Sequence, residues 1–217
     1  MATNIFAYFN LTVREAEDFS GDEPRLLIAF VTLDVNGPGD VQVDVINTDK
    51  LGSGMDDEDN VRGMVTSTNA PTIDAPFVGL IVMAIDNDKS RGSHRVNHLN
   101  SFRESVQEVF TSLHQQPGGI PRINTEIGNS YSERQLEVLQ SIRESCSNQL
   151  QRHWLIRDRD DIIGLTSVNI FSDLGNQFHD SGLASDGHTF NYRKRFLNIF
   201  GGDGLYNVNF TLTANNL

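Results

Sequence analysis

Cysteine is nearly missing from this chain. Cys146 is the only one in 217 residues, so neither an internal disulfide nor a thiolate metal cage can form. Basic residues are scarce too: 17 Lys and Arg stand against 29 Asp and Glu, for a formal charge of −12. That balance excludes nucleic acid as the main partner, because phosphate binding needs a basic surface. No apolar stretch reaches the length of about 18 residues that a membrane-crossing helix needs, so no transmembrane segment is expected. The opening Met1-Ala2-Thr3-Asn4-Ile5-Phe6 has no basic stretch followed by an apolar one, which predicts no secretory signal and a soluble, cytoplasmic protein. The phosphate-cradling patterns Gly-x-x-x-x-Gly-Lys-Ser/Thr and Gly-x-Gly-x-x-Gly are absent, as is the Gly-x-Ser-x-Gly turn of a nucleophilic serine. No enzyme is expected on that ground.

What is present suffices for a sizeable core. Apolar residues make up 38% of the chain and include 13 Phe, enough at this length for a single domain over 1–217. Residues 5–13 are rich in Phe, Tyr and Thr, and 26–35 are almost continuously apolar; both read as strands. Asn36-Gly37-Pro38-Gly39 is a turn signal, after which Val41-Gln42-Val43-Asp44-Val45-Ile46 alternates as a third strand. Residues 48–74 are polar and rich in Gly, Asp and Asn, which predicts one long loop. Residues 77–85 are apolar throughout, as in a strand buried on both faces.

The period then changes. Val96, Leu99, Phe102, Val106, Phe110 and Leu113 recur at three- and four-residue steps, the spacing of an amphipathic helix, and Pro117-Gly118-Gly119 stops it. Ser132-Glu133-Arg134-Gln135 fits a capping box, in which Ser and Gln side chains satisfy amides left over in the first helical turn. Leu136, Leu139, Ile142, Cys146 and Leu150 then form a second apolar stripe, ending near His153. Within that stripe Cys146 is expected to act as a small buried apolar group, not a nucleophile. Residues 161–171 return to strand, interrupted at Gly164 by a bulge or close approach. A loop-rich stretch over 172–203 holds an extended segment at 190–200, and 204–213 alternate with Tyr206, Val208, Phe210 and Leu212 toward the core. The expected fold is mainly β with an α insertion: an antiparallel β-sandwich carrying a two-helix hairpin at about 94–153.

Two acidic clusters flank that hairpin. Asp86-Asn87-Asp88 ends the apolar run, and Asp158-Arg159-Asp160-Asp161 precedes Ile162-Ile163-Gly164. Carboxylates gathered at the mouth of a β-structure must be solvated or neutralised by a cation. Calcium is the expected ion, since it takes six to eight oxygens from several loops. The other neutralising route is ion pairing with Arg157 and Arg159.

Residues 11–19, then Gly21-Asp22-Glu23-Pro24 and the strand after them, resemble the start of a C2 domain. Asp86-Asn87-Asp88 is similar to that family's Asp-x-Asp loop, and Asp160-Asp161-Ile162-Ile163-Gly164 to its Asp-Asp-hydrophobic-Ile-Gly element. In the family these two elements flank one short loop; here the hairpin fills it. The resemblance covers about two-thirds of the chain. It implies an eight-stranded antiparallel sandwich with calcium at one end. The ligands it implies are Asp22, Asp86, Asp88, Asp158 and Asp160, with Asp18 a weaker match than Asp22.

Other constellations are thinner. His94 and His98 are four apart on a helix, but Arg95 stands where a zinc protease needs Glu, so an exposed polar helix face is expected. Phe190-Asn191-Tyr192-Arg193-Lys194-Arg195-Phe196 interleaves basic and aromatic residues, as a contact for an anionic surface or as an outer strand whose charges discourage edge pairing. The expected function is a noncatalytic, calcium-binding C2-like module that docks on a membrane surface or protein partner. The alternatives are a structural or interaction protein, such as a toxin or assembly component using its hairpin, and a hydrolase using paired carboxylates.

Overall fold

The computed structural model describes residues 3–16, 21–33, 41–67, 77–86, 92–115, 131–150, 161–168, 189–195 and 205–216. Among these, the chain forms β1 (Thr3–Glu15), β2 (Pro24–Leu33), β3 (Val41–Asn47), β4 (Asn60–Thr66) and β5 (Phe77–Asp86). Then come the helices α1 (Gly92–Gln115) and α2 (Tyr131–Leu150), followed by β6 (Asp161–Val168), β7 (Thr189–Arg195) and β8 (Leu205–Asn216). The strands make two four-stranded antiparallel sheets, ordered β4-β1-β8-β7 and β3-β2-β5-β6. This is the mainly β sandwich with a helical insertion that the sequence predicts.

Side-chain alternation on β2 and β5 explains why the helices are there. Leu26, Ile28 and Phe30 of β2, with Leu80, Val82 and Ala84 of β5, enter the core between the sheets. There they meet Phe9, Leu11, Val13, Tyr206, Val208 and Phe210. The intervening Leu27, Ala29, Val31, Ile81, Met83 and Ile85 point the other way and are just as buried. They are covered by Phe102, Val106, Phe110 and Leu113 of α1 and by Leu139, Ile142 and Cys146 of α2. A sheet apolar on both faces must be covered on both, so the hairpin is the third layer of the fold and not an arm. Leu99 and Val109 pack partly against this second core, whereas Val96 is 57% exposed.

The insertion leaves β5 and β6 as direct neighbours. Asp86 is in register with Pro24 of β2 on one side and with Asp161 of β6 on the other. Gly164 stands opposite Ala84 and Ile162 opposite Ile85, so Ile163 is the extra residue of a β-bulge where the glycine predicts one.

One expected loop is partly a strand. The stretch 48–74 contains β4, which pairs with β1 from Phe6↔Thr66 to Thr12↔Asn60. Its inward positions are Val61, Gly63 and Val65, and the glycine breaks the apolar alternation that would have signalled a strand. The reason is packing: Gly63 is in register with Phe9, whose ring occupies the space a Cβ at 63 would need. The second helix begins at Tyr131, one residue before the Ser132 of the expected capping box. The turn at 36–39, the stop at 117–119 and the strand ends at 169–171 and 196–200 lie outside the described residues.

If the hairpin is a core layer, Phe110→Ala should destabilise the fold by about 3–5 kcal/mol in urea unfolding, whereas a loss under about 1 kcal/mol would mean the hairpin packs loosely.

Candidate functional site

One end of the sandwich gathers the chemistry. The strand registers put the close of β1, β3, β5 and β7 there, together with the start of β2, β4, β6 and β8. The segment after β3 is held there by backbone hydrogen bonds. Thr48 N–H donates to Leu26 O at 3.0 Å, Leu51 N–H to Pro24 O at 2.8 Å, and Asp22 and Met55 exchange a pair at 2.9 and 2.8 Å. Gly21 makes this crossing possible, with φ at 75° and a Cβ position lying against the Gly54 backbone.

Two of the five expected metal ligands lie among the described residues, and both are buried. Asp22 is 0% exposed and Asp86 2%. The Tyr206 hydroxyl donates to Asp22 Oδ2 at 2.7 Å, joining β8 to the start of β2 across the two sheets. The Glu23 N–H donates to Asp86 Oδ1 at 2.6 Å, so Asp86 is bonded to the peptide that joins Asp22 to Glu23. Glu23 itself is paired with Lys50. Asp18, Asp88, Asp158 and Asp160, and with them Arg157 and Arg159, lie outside the described residues. Among the described residues no group of three His, Cys, Asp or Glu side chains is arranged to hold a metal.

A buried cation lies at the same end of β2, in register with Ile85. Arg25 is 0% exposed, and its Nη2 lies 3.0 Å from His98 Nδ1 on α1. Guanidinium only donates, so Nδ1 accepts and the imidazole carries its proton on Nε2. His98 is therefore a half-buried strut between β2 and α1 and not part of an exposed polar face. Sequence reading missed Arg25 because an arginine at a strand start reads as a surface residue. Tyr206 was legible only as a core residue; its hydroxyl role depends on a partner 184 positions away.

The acidic run 56–59 is a brace for the same end. Asp57 Oδ1 accepts the Ala16 N–H at 2.9 Å, Glu58 pairs with Arg14, and Asp59 Oδ2 accepts the Asp56 N–H at 3.0 Å. Glu58 sits at φ 69°, held by its backbone N–H bond to Val13 O at 2.8 Å. These carboxylates have work within the protein, so they add little to a metal site.

Two further groups bear on catalysis. A cleft of about 290 Å³, lined by Thr32, Gln42, Asp44 and Gln107 among others, lies toward the far end of β2 and β3 from Asp22 and Asp86. It does not bring paired acids together. Cys146 is buried, and burial pushes its thiol up from 9.0 to about 11, with a hydrogen bond to Ser105 opposing. That is the wrong direction for a nucleophile.

No protein-family model matches the chain, and no curated protein does either.

Tyr206→Phe removes the donor from a buried carboxylate and should cost about 1–3 kcal/mol in thermal or urea unfolding, with no cost if water takes over the bond. For Cys146, the folded thiol stays protonated where the unfolded one ionises. Its contribution is intact below pH 9.0 and lost as pH rises toward about 11. Iodoacetamide at pH 8 should accordingly label Cys146 in urea and leave it unmodified in buffer; rapid native labelling would contradict the burial.

Proposed function

We propose that the chain is a noncatalytic C2-like module that binds calcium at its acid-bearing end and docks on an anionic membrane surface. The observation that supports this most is the register of β5: Asp86 faces Asp161 directly, with the hairpin leaving and returning on adjacent strands. Covalent geometry then keeps the Cα of Asp160 about 3.8 Å from that of Asp161, and the Cα of Asp88 within about 7 Å of that of Asp86. The positions where the hairpin departs and returns, Asp86 and Asp161, are neighbours in register, which is what supports a shared ion.

Like charges on facing strand positions repel, and a divalent ion between the two segments relieves the repulsion. In this reading Asp86, Asp88, Asp158 and Asp160 supply the oxygens from the two segments that flank the hairpin. Asp22 closes the inner side, where its bond to Tyr206 orients it. The bound ion would invert the local charge and so attract an anionic headgroup to an otherwise acidic end.

A role for the hairpin as the contact-making element has less to work with, because its apolar stripe is spent on the sheet.

Millimolar calcium should raise the melting temperature. A hundredfold excess over Kd is worth about 2.7 kcal/mol, or roughly 5–10 °C for a chain of this size. Asp86→Asn should abolish the shift, and calcium should be required for sedimentation with phosphatidylserine vesicles. An unchanged melting temperature in calcium would overturn the metal half of the proposal.

A further inference from the structure

The cleft at the far end of β2 and β3 has a composition that selects a ligand. β3 is the last strand of its sheet, so one cleft can touch both faces of it. From the inner face come the cross-strand pairs Phe30↔Asp44 and Thr32↔Gln42. From the helix-covered face come Val41 and Val43, together with Gln107 of α1. Phe30, Thr32 and Val41 are at most 5% exposed, whereas Val43, Asp44 and Gln107 are half-buried and Gln42 is exposed. The volume of about 290 Å³ falls just below the range of about 300–1,000 Å³ for drug-sized ligands. One long side chain, or a fragment of that size, is what it suits.

Two acceptors in the cleft are set by bonds the protein already makes. Gln107 donates from Nε2 to the Val41 carbonyl. A carbonyl only accepts, so the carboxamide nitrogen must be the atom that faces Val41 and Oε1 is left as an acceptor. Among the described residues no group donates to that oxygen. Asp44 is positioned by Ser67, just past β4, whose Oγ donates to Oδ2 at 3.2 Å. A hydroxyl leaves the carboxylate its charge, and two carboxylate oxygens can accept several bonds at once. Of the seven described residues that line the cleft, Asp44 alone is charged.

A matching ligand is cationic, rich in donors and carried on an apolar stem. Guanidinium on an aliphatic chain has all three properties. It presents five N–H donors in a fixed plane and no acceptor, so it can hold a carboxylate and a carboxamide oxygen at the same time. Its methylenes can lie along Val41 and Val43 while the head reaches the polar groups. An ammonium is a more strongly hydrated point charge and fits a divided acceptor set less well. The field of a chain of charge −12 draws such a cation in.

We infer that this cleft is a binding site for an alkylguanidinium, the side-chain chemistry of arginine, with Asp44 on the guanidinium and Gln107 Oε1 accepting a further bond from it. The cleft involves neither Asp86 nor calcium, so it stands or falls separately from the metal site.

The test is amide NMR of the full chain in EDTA and about 0.15 M salt, titrated with N-acetyl-arginine methylamide, its uncharged citrulline counterpart and its lysine counterpart. Saturable shifts at Val43, Asp44 and Gln107 are expected with the arginine compound, and binding about tenfold weaker or less with the other two. Asp44→Asn keeps an acceptor for Ser67 and should weaken binding about tenfold at an unchanged melting temperature. If that variant fails to fold, Gln107→Met reads the second contact and should weaken binding severalfold. A short alanine-flanked arginine peptide and agmatine separate the sources: tighter binding of the peptide assigns the guanidinium to a partner protein, tighter binding of agmatine to a small molecule. Absence of saturable shifts at these residues, equal binding of the citrulline or lysine compound, or affinity indifferent to both substitutions would overturn the proposal.

Discussion

The β3-β2-β5-β6 sheet is apolar on both faces, and the rest of the structure answers to that constraint. Alternating residues of β2 and β5 feed two separate cores, one against the other sheet and one against α1 and α2. Fully burying one such side chain is worth about 1.5–3 kcal/mol. Leaving a whole face in water would therefore exceed the 5–15 kcal/mol that stabilises a typical domain. A hairpin between β5 and β6 is the solution in this chain. It starts and ends beside the sheet it covers, so the connection costs the sheet no neighbour.

The same connection organises the acid-bearing end. Because the hairpin folds back over its own sheet, Asp86 and Asp161 remain opposite each other. Around them, polar groups are tied down by the protein itself: Asp22 by Tyr206, Asp86 by the Glu23 amide, Arg25 with His98. These bonds span β2, β5, β8 and α1, and each joins elements far apart in sequence. Buried charges of this kind are costly unless bonded, and here they fasten all three layers at one end.

Much of the fold was legible because its signals are periodic. The double-sided apolar run of β5, the stripes of α1 and α2, the alternation of β8 and the glycine at the β6 bulge each translate directly into what is observed. β4 was hidden because Gly63 surrenders its inward position to the ring of Phe9, a cross-strand relation that no local pattern reveals. The site was less legible for a related reason. Asp22 and Asp86 were found by their carboxylates, but their burial and the roles of Arg25, His98 and Tyr206 come from contacts across 63 to 184 positions. The acids at 56–59 showed the reverse: a conspicuous charge run whose members brace the end of β1.

The central claim is that the hairpin brings the two acidic segments to one ion instead of separating them. A crystal structure of the protein grown in calcium tests this most directly. The account predicts one ion beside Asp86, with carboxylate ligands from both the Asp88 and the Asp158–Asp160 sides at about 2.3–2.6 Å. Clear density for both segments with their carboxylates turned to solvent or to Arg157 and Arg159, and no ion between them, would contradict it.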